Sequence, residues 1–243
     1  MRIQLTYPHH PDTGLPRPMS PRAIRAVAAQ VRAQLPGHAS DRLALSAGDL
    51  AGAIGRVEVN GRAVSVVWSL ASELFDDVGI PAYGACHAEP DEPGVVRVVI
   101  NRRMTADRPD LAASTAAHEL GHVVFDVPAM IGQPGRCYRS ATTAAELDRG
   151  TLVLERRANE FMGALLTPPV RLHTRLLAHA RSEGLKLTRA LNSGRPASPV
   201  LSRDNPADGI AGVIAALAGD FGVSDRFIAV RLDLYGLLAG GRT

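Results

Sequence analysis

The spacing of apolar and polar positions changes period several times along this chain, and each change marks an expected element. Over 21–35, Ile24, Val27, Ala28 and Val31 recur on one helical face, with Ser20 placed as the cap and Pro21 at the first position. A short helix is expected over 47–54. The period then drops to two: Val57-Glu58-Val59, the pair Asn60-Gly61, and 63–68 predict a hairpin closed by a type I′ turn. Another turn of helix is expected over 72–78. Residues 81–87 and 95–101 read as two strands joined by the Pro- and Gly-containing turn 89–94.

Helical spacing dominates the second half. Leu111, Ala112, Ala116, Leu120 and Val123 form the stripe of a helix over 111–125, capped by Asp110 and closed by Pro128. Residues 127–150 read as a loop able to act as a flap. The next helix, 151–166, carries Leu152, Leu154, Ala158, Phe161, Met162, Leu165 and Leu166 and ends at Pro168-Pro169. Helix returns over 170–183. The Ser-, Pro- and Asn-rich stretch 192–209 reads as a linker or surface insertion. Two last helices, 210–221 and 225–238, flank Gly222-Val223-Ser224, where Ser224 can cap the second. Residues 1–19, with four prolines and the pair His9-His10, read as an extended arm with both histidines in solvent.

Composition narrows the class without naming a function. With 243 residues, 46% apolar and 21% charged, the chain can bury a full core, which excludes wholesale disorder. A net charge of +3 is small for this length, Lys186 is the single lysine, and the arginines are scattered, so no nucleic-acid footprint is present. Cys86 and Cys137 form no C-x-x-C pair, 1–11 holds no apolar signal core, and no apolar run is long enough to span a membrane. A cytoplasmic protein with reduced thiols and no membrane partner is expected.

The chemistry concentrates in His118-Glu119-Leu120-Gly121-His122. Histidines four apart on a helix lie one turn apart on one face, so both imidazoles can reach one ion. Glu119, next to the first of them, is rotated so that it can face a metal's water rather than the metal. A catalytic zinc needs a third protein ligand, and 123–128 lacks the glycine and third histidine of the metzincin pattern. Glu155, a carboxylate on an otherwise apolar helix, is the best candidate, with Glu146, Glu160 and His173 as rivals.

On these residues the chain resembles the ImmA/IrrE family of gluzincin metallopeptidases. The matching stretches are Val99-Ile100-Asn101, the run from Thr115 to His122, Glu155-x-x-Ala158-Asn159-x-Phe161 with Leu165-Leu166-Thr167-Pro168, and, more faintly, Phe221-Gly222-Val223-Ser224 with Arg231-Leu232. They cover 80–168 and, weakly, 210–238; residues 1–70 carry no part of the likeness. Asp126 stands where several members carry a histidine, and the loop before Glu155 is long. The resemblance implies an α+β, zincin-like peptidase domain over 20–168 with a small antiparallel sheet packed on the motif helix. After it come a helix and linker over 169–209 and a helix-turn-helix-like segment over 210–243. It also implies one zinc per chain held by His118, His122 and Glu155, with Glu119 as the base. The implied substrate is a protein, commonly a helix-turn-helix transcriptional repressor, often one of a stress response or a mobile element.

Two further roles are read from the residues. Asn159 is placed to hydrogen-bond a ligand histidine, and Tyr138, His173 and His179 are candidate donors to an oxyanion. The competing reading is a DNA-binding regulator with a vestigial metal site. It draws on the last helix with Arg226 and Arg231, while Asp225 and Asp233 on the same helix repel phosphate. Direct nucleic-acid binding is therefore not expected.

Overall fold

Asn60 and Gly61 take φ angles of 51° and 83°, the left-handed pair that a type I′ turn requires, and they close the hairpin of β2 (Arg56–Val59) and β3 (Arg62–Ser69). The structure is a computed structural model describing residues 1–37, 42–76, 79–89, 92, 94–129, 137–139, 149–192 and 195–240. It divides into two units, Met1–Leu165 and Leu166–Thr243. Helices and small open sheets are mixed in both, as an α+β class requires.

In the first unit the hairpin is the middle of a six-stranded sheet ordered β1-β2-β3-β5-β4-β6. The other strands are β1 (Arg2–Leu5), β4 (Gly84–Ala88), β5 (Val95–Ile100) and β6 (Cys137–Arg139). The sheet is mixed rather than the small antiparallel one expected, because β1 runs parallel to β2 and β3 parallel to β5. The N-terminal residues also differ from expectation: instead of a loose arm they form β1, with Ile3, Leu5 and Tyr7 buried. A period-two alternation was present at those three positions, but prolines and histidines follow it at once. His9 is likewise half-buried, in a bridge to Pro16, while His10 is exposed.

Helix α1 (Pro21–Gln34) begins at Ser20, whose hydroxyl accepts from Ala23 N–H, and buries the stripe Ile24, Val27, Ala28 and Val31. Its outer face also closes the sheet. The side-chain amide of Gln34 bonds both N–H and C=O of Gln4, at 2.8 Å each, and that of Gln30 does the same for Thr6, at 3.3 Å. The open edge of β1 is thus satisfied by amides rather than by another strand. Helix α2 (Ala47–Ala53) is held by a capping box between Ser46 and Asp49. The expected turn of helix over 72–78 is absent from its described residues; Phe75 instead bridges Pro81.

After β5, Asn101 caps the short helix α3 (Arg102–Thr105), and then comes α4 (Pro109–Phe125), the motif helix, which packs on α2, β4 and β5. Its N-cap is Arg108 rather than Asp110. Pro109 takes the first helical position, which suits it, and Asp110 turns back to pair with Arg108 at 2.9 Å. A 3-10 turn at Val127–Ala129 ends the helix at Pro128. The expected flap lies mostly outside the described residues. Helix α5 (Arg149–Leu166) then carries Phe161 and Leu165 into the core. It is tied to α1 by the Arg25–Glu160 ion pair and by Arg32, whose Nη1 donates to Leu165 O at 2.6 Å.

The second unit holds α6 (Pro169–Ser182), α7 (Ala207–Phe221), α8 (Asp225–Leu234) and a sheet ordered β7-β8-β9. Its strands are β7 (Leu187–Asn192), β8 (Arg195–Ser202) and β9 (Leu238–Ala239). The expected linker over 192–209 therefore contains the strand β8 and the start of α7. Its prolines are tolerated because β9 pairs with β8 only at Leu201 and Ser202, leaving the rest of that side of β8 as edge. Helix α8 also stops earlier than the expected 238, at a turn through Gly236 with φ of 67°. Gly222, with φ of 66°, and Ser224, whose hydroxyl accepts from Phe227 N–H, make the α7–α8 corner as expected.

Ile3 is fully buried in β1, so Ile3→Ala is expected to lower stability by about 2–5 kcal/mol in denaturant unfolding. A change below about 0.5 kcal/mol, the range of ordinary surface substitutions, would return this segment to a loose arm.

Candidate metal centre

Three side chains from two helices meet in the first unit. His118 and His122 project from the same face of α4 with their Nε2 atoms 3.2 Å apart. Glu155 of α5 places Oε2 at 3.2 Å from the first and Oε1 at 3.4 Å from the second. The cluster is largely buried: His122 is fully buried, His118 is 8% exposed, and the Glu155 side chain is 16% exposed. Among the described residues this is the group of histidines, cysteines and acids arranged to hold a metal ion.

The donor set fits such an ion. Four ligands placed tetrahedrally at about 2.0–2.1 Å from zinc lie about 3.3–3.4 Å from one another, and the three observed separations scatter about that edge length. Two imidazoles and one carboxylate also leave a fourth position open, as catalytic sites do.

Glycine sets how closely α4 and α5 approach. A Cβ built on Gly121 would lie 2.9 Å from Ala158 Cα, so a side chain here would push the helices apart and carry Glu155 away. A second close approach fixes Glu119, which is fully buried. A Cβ on Gly84 of β4 would stand 2.5 Å from Thr115 Cγ2 and 3.1 Å from both Cγ and Oε1 of Glu119. Sequence reading passed over Gly84, although a glycine inside a strand signals such an approach. The Asn101 amide, which donates to Leu74 O and Ala82 O at 2.8 and 2.7 Å, sets the path of the chain into β4.

Burial works against charge in both titrating ligands, and hydrogen bonding overcomes it. For His122, burial alone would lower the pKa, but bonds to Asp126 and Glu155 raise it to about 10. For Glu155, burial alone would raise the pKa, but bonds to His118 and His122 lower it to about 2. Both shifts come from the same pairing of a carboxylate with imidazoles. Asn159, expected to hydrogen-bond a ligand histidine, is an exposed residue of α5. The second imidazole nitrogen of His122 meets Asp126, four residues on, with Nδ1 donating to Oδ2 at 2.7 Å. The signal was present in the i,i+4 spacing of His122 and Asp126.

The rival ligands have other partners or lie outside the description. Glu160 pairs with Arg25, and Glu146 is outside the described residues. In the second unit, His173 Nε2 bonds Pro199 O and His179 bonds Asp220, each at 2.7 Å. Tyr138 stands on β6 opposite Cys86, its side chain outside the description. Arg231, one of the two arginines offered to DNA, is 4% exposed and lies over the Phe227 ring. No protein-family model matches the chain, and a search of curated proteins finds no significant relative.

Two outcomes follow from this geometry. Gly121→Ala is expected to weaken zinc binding in a chelator competition and to lower stability by about 1–3 kcal/mol, since the new methyl meets backbone. Metal binding is also expected to release a proton at neutral pH. His122 is protonated there in the metal-free protein and must be neutral to ligate, so affinity rises with pH. Titration calorimetry in buffers of different ionisation enthalpy reads the release, and binding without proton release would contradict it.

Proposed function

We propose that this chain is a zinc metallopeptidase that hydrolyses a peptide bond in a protein substrate. The observation that carries the reading is the meeting of His118 Nε2 and His122 Nε2, 3.2 Å apart, with the Glu155 carboxylate, whose Oε2 lies 3.2 Å from the first and Oε1 3.4 Å from the second, and with buried Glu119 beside them. The same two-histidine, one-carboxylate set serves non-haem iron in other proteins. A glutamate placed next to the first ligand favours zinc, because hydrolysis needs a base at that spot and iron oxygenation does not.

Zinc, when bound, supplies Lewis acidity, acidifying a water and polarising the scissile carbonyl. The chain's own groups do the rest. Glu119 accepts the proton of the attacking water and hands it to the leaving amine, and its burial keeps that carboxylate away from bulk solvent. Gly84 keeps β4 close enough to restrict where the Glu119 carboxylate can point. His118, His122 and Glu155 hold the metal and nothing more.

The ImmA/IrrE resemblance extends the proposal to substrate and compartment. It favours a helix-turn-helix transcriptional repressor as the protein cut, and hence a cytoplasmic enzyme acting on transcription. No helix among the described residues is long and apolar enough to cross a membrane. The DNA-binding alternative is weakened because Arg231, one of the two arginines it draws on, is buried.

Metal content measured by mass spectrometry on wild type, His122→Ala and Glu155→Ala is the direct test. One zinc per chain, lost in both variants, is the expected result; iron in its place, or no metal in wild type after zinc is supplied, would overturn the proposal. Glu119→Gln is expected to keep the zinc and lose on the order of 10²- to 10⁴-fold in cleavage of a proteome-derived peptide library. Full activity in that variant would remove Glu119 from the mechanism.

A further inference from the structure

Helix α5 reaches His122 twice. Glu155 touches its Nε2 directly at 3.4 Å. Two residues on, Arg157 pairs with Oδ1 of Asp126, whose Oδ2 accepts the Nδ1 hydrogen of the same imidazole at 2.7 Å. We infer that Arg157 is a positioning residue for metal binding: through Asp126 it holds the His122 ring in the tautomer and orientation that turn Nε2 toward the ion. The inference rests on the metal-site reading above but not on what the enzyme cleaves.

The chemistry of each link supports it. An ionised carboxylate only accepts hydrogen bonds, so Asp126 keeps the hydrogen on Nδ1 and leaves the Nε2 lone pair for a metal. A carboxylate held at one oxygen can still turn about its terminal torsion, which has broad wells. The Arg157 bond to the other oxygen removes that freedom.

Arg157 is itself immobilised. It is 9% exposed, and its guanidinium carbon lies 5.3 Å from the Phe125 ring centroid. Phe125 is in turn packed against Tyr7 at 5.3 Å and Phe161 at 5.7 Å. Tyr7 donates from its hydroxyl to Val124 O at 2.8 Å, so the segment that follows β1 is fastened to the motif helix beside the same ring. Asp126, 2% exposed, therefore sits between a fixed cation and a ligand histidine.

An ordinary buried ion pair would stabilise the fold without setting the imidazole, and a double-mutant cycle separates the two roles. Zinc affinity by chelator competition and the absorption spectrum of the Co²⁺-loaded protein are measured for wild type, Arg157→Met, Arg157→Lys, Asp126→Asn and the double variant Asp126→Asn/Arg157→Met. His122→Ala serves as control, and circular dichroism verifies folding. The expected result is a loss of zinc affinity on the order of 10- to 100-fold for Arg157→Met with shifted Co²⁺ bands. A smaller loss is expected for Arg157→Lys, whose point charge cannot fix the carboxylate as a guanidinium does. Little further loss is expected on adding Arg157→Met to Asp126→Asn.

Wild-type affinity and spectrum in a folded Arg157→Met overturn the inference, as does an equal loss with and without Asp126. Should Arg157→Met not fold, Arg157→Lys decides: unchanged affinity and bands overturn the inference, and a shift in both supports it. Undiminished zinc binding by His122→Ala would instead remove the metal-site reading, and this inference with it.

Discussion

Everything at the centre depends on how near α5 comes to α4, and that distance is set where Gly121 faces Ala158. With no Cβ on one helix and a methyl on the other, the backbones approach closely enough for Glu155 to meet two histidines a turn apart. Any larger residue at 121 would separate the donors, because the atoms it would strike belong to the backbone. The rest of the first unit maintains that approach. Arg25 and Arg32 of α1 grip α5, the Gln30 and Gln34 amides fasten α1 to β1, and the sheet supports α4 from β4 and β5.

Close packing solves one problem and creates another, since it buries ionisable groups. His118, Glu119, His122, Asp126 and Arg157 are all less than one tenth exposed. Charges are tolerated in such surroundings only when each meets an opposite charge or a hydrogen bond. Alternation of sign supplies this along one line of groups, from the Glu155 carboxylate to His122, then to Asp126, then to Arg157. The raised pKa of His122 and the lowered one of Glu155 express the same fact, that the cluster is built around a positive charge. A divalent ion satisfies that requirement more fully than a proton does, since it can be shared among all three donors.

Local signals in the chain were dependable where a short-range rule governs. Asn60-Gly61 demanded a type I′ hairpin, Ser20-Pro21 opened a helix, and Gly222 with Ser224 turned one helix into the next. They failed where the deciding partner lies far away in sequence. Residues 2–5 became a strand because β2, more than fifty residues later, offers a parallel edge. The run around Pro199 is a different case, a strand paired with the neighbouring β7, where the prolines masked a partner close in sequence. At α4, Pro109 outcompeted Asp110 for the helix start, a one-residue contest that local rules state but do not rank.

The sequence by itself determined which chemistry was possible: two histidines on one helical face, a glutamate between them, and the small residues that let that helix be buried. Helical periodicity is a local property, and 3.6 residues per turn puts 118 and 122 together wherever the helix lies. Tertiary structure decided the remainder, because it concerns groups that meet only when separate elements pack. Glu155 as third donor among several acids, Arg157 behind Asp126, and Gly84 against Glu119 are all contacts across α4, α5 and β4. Spacing along the chain carries no information about such distances; they follow from which faces are apolar enough to be driven together and how closely the backbones there can approach.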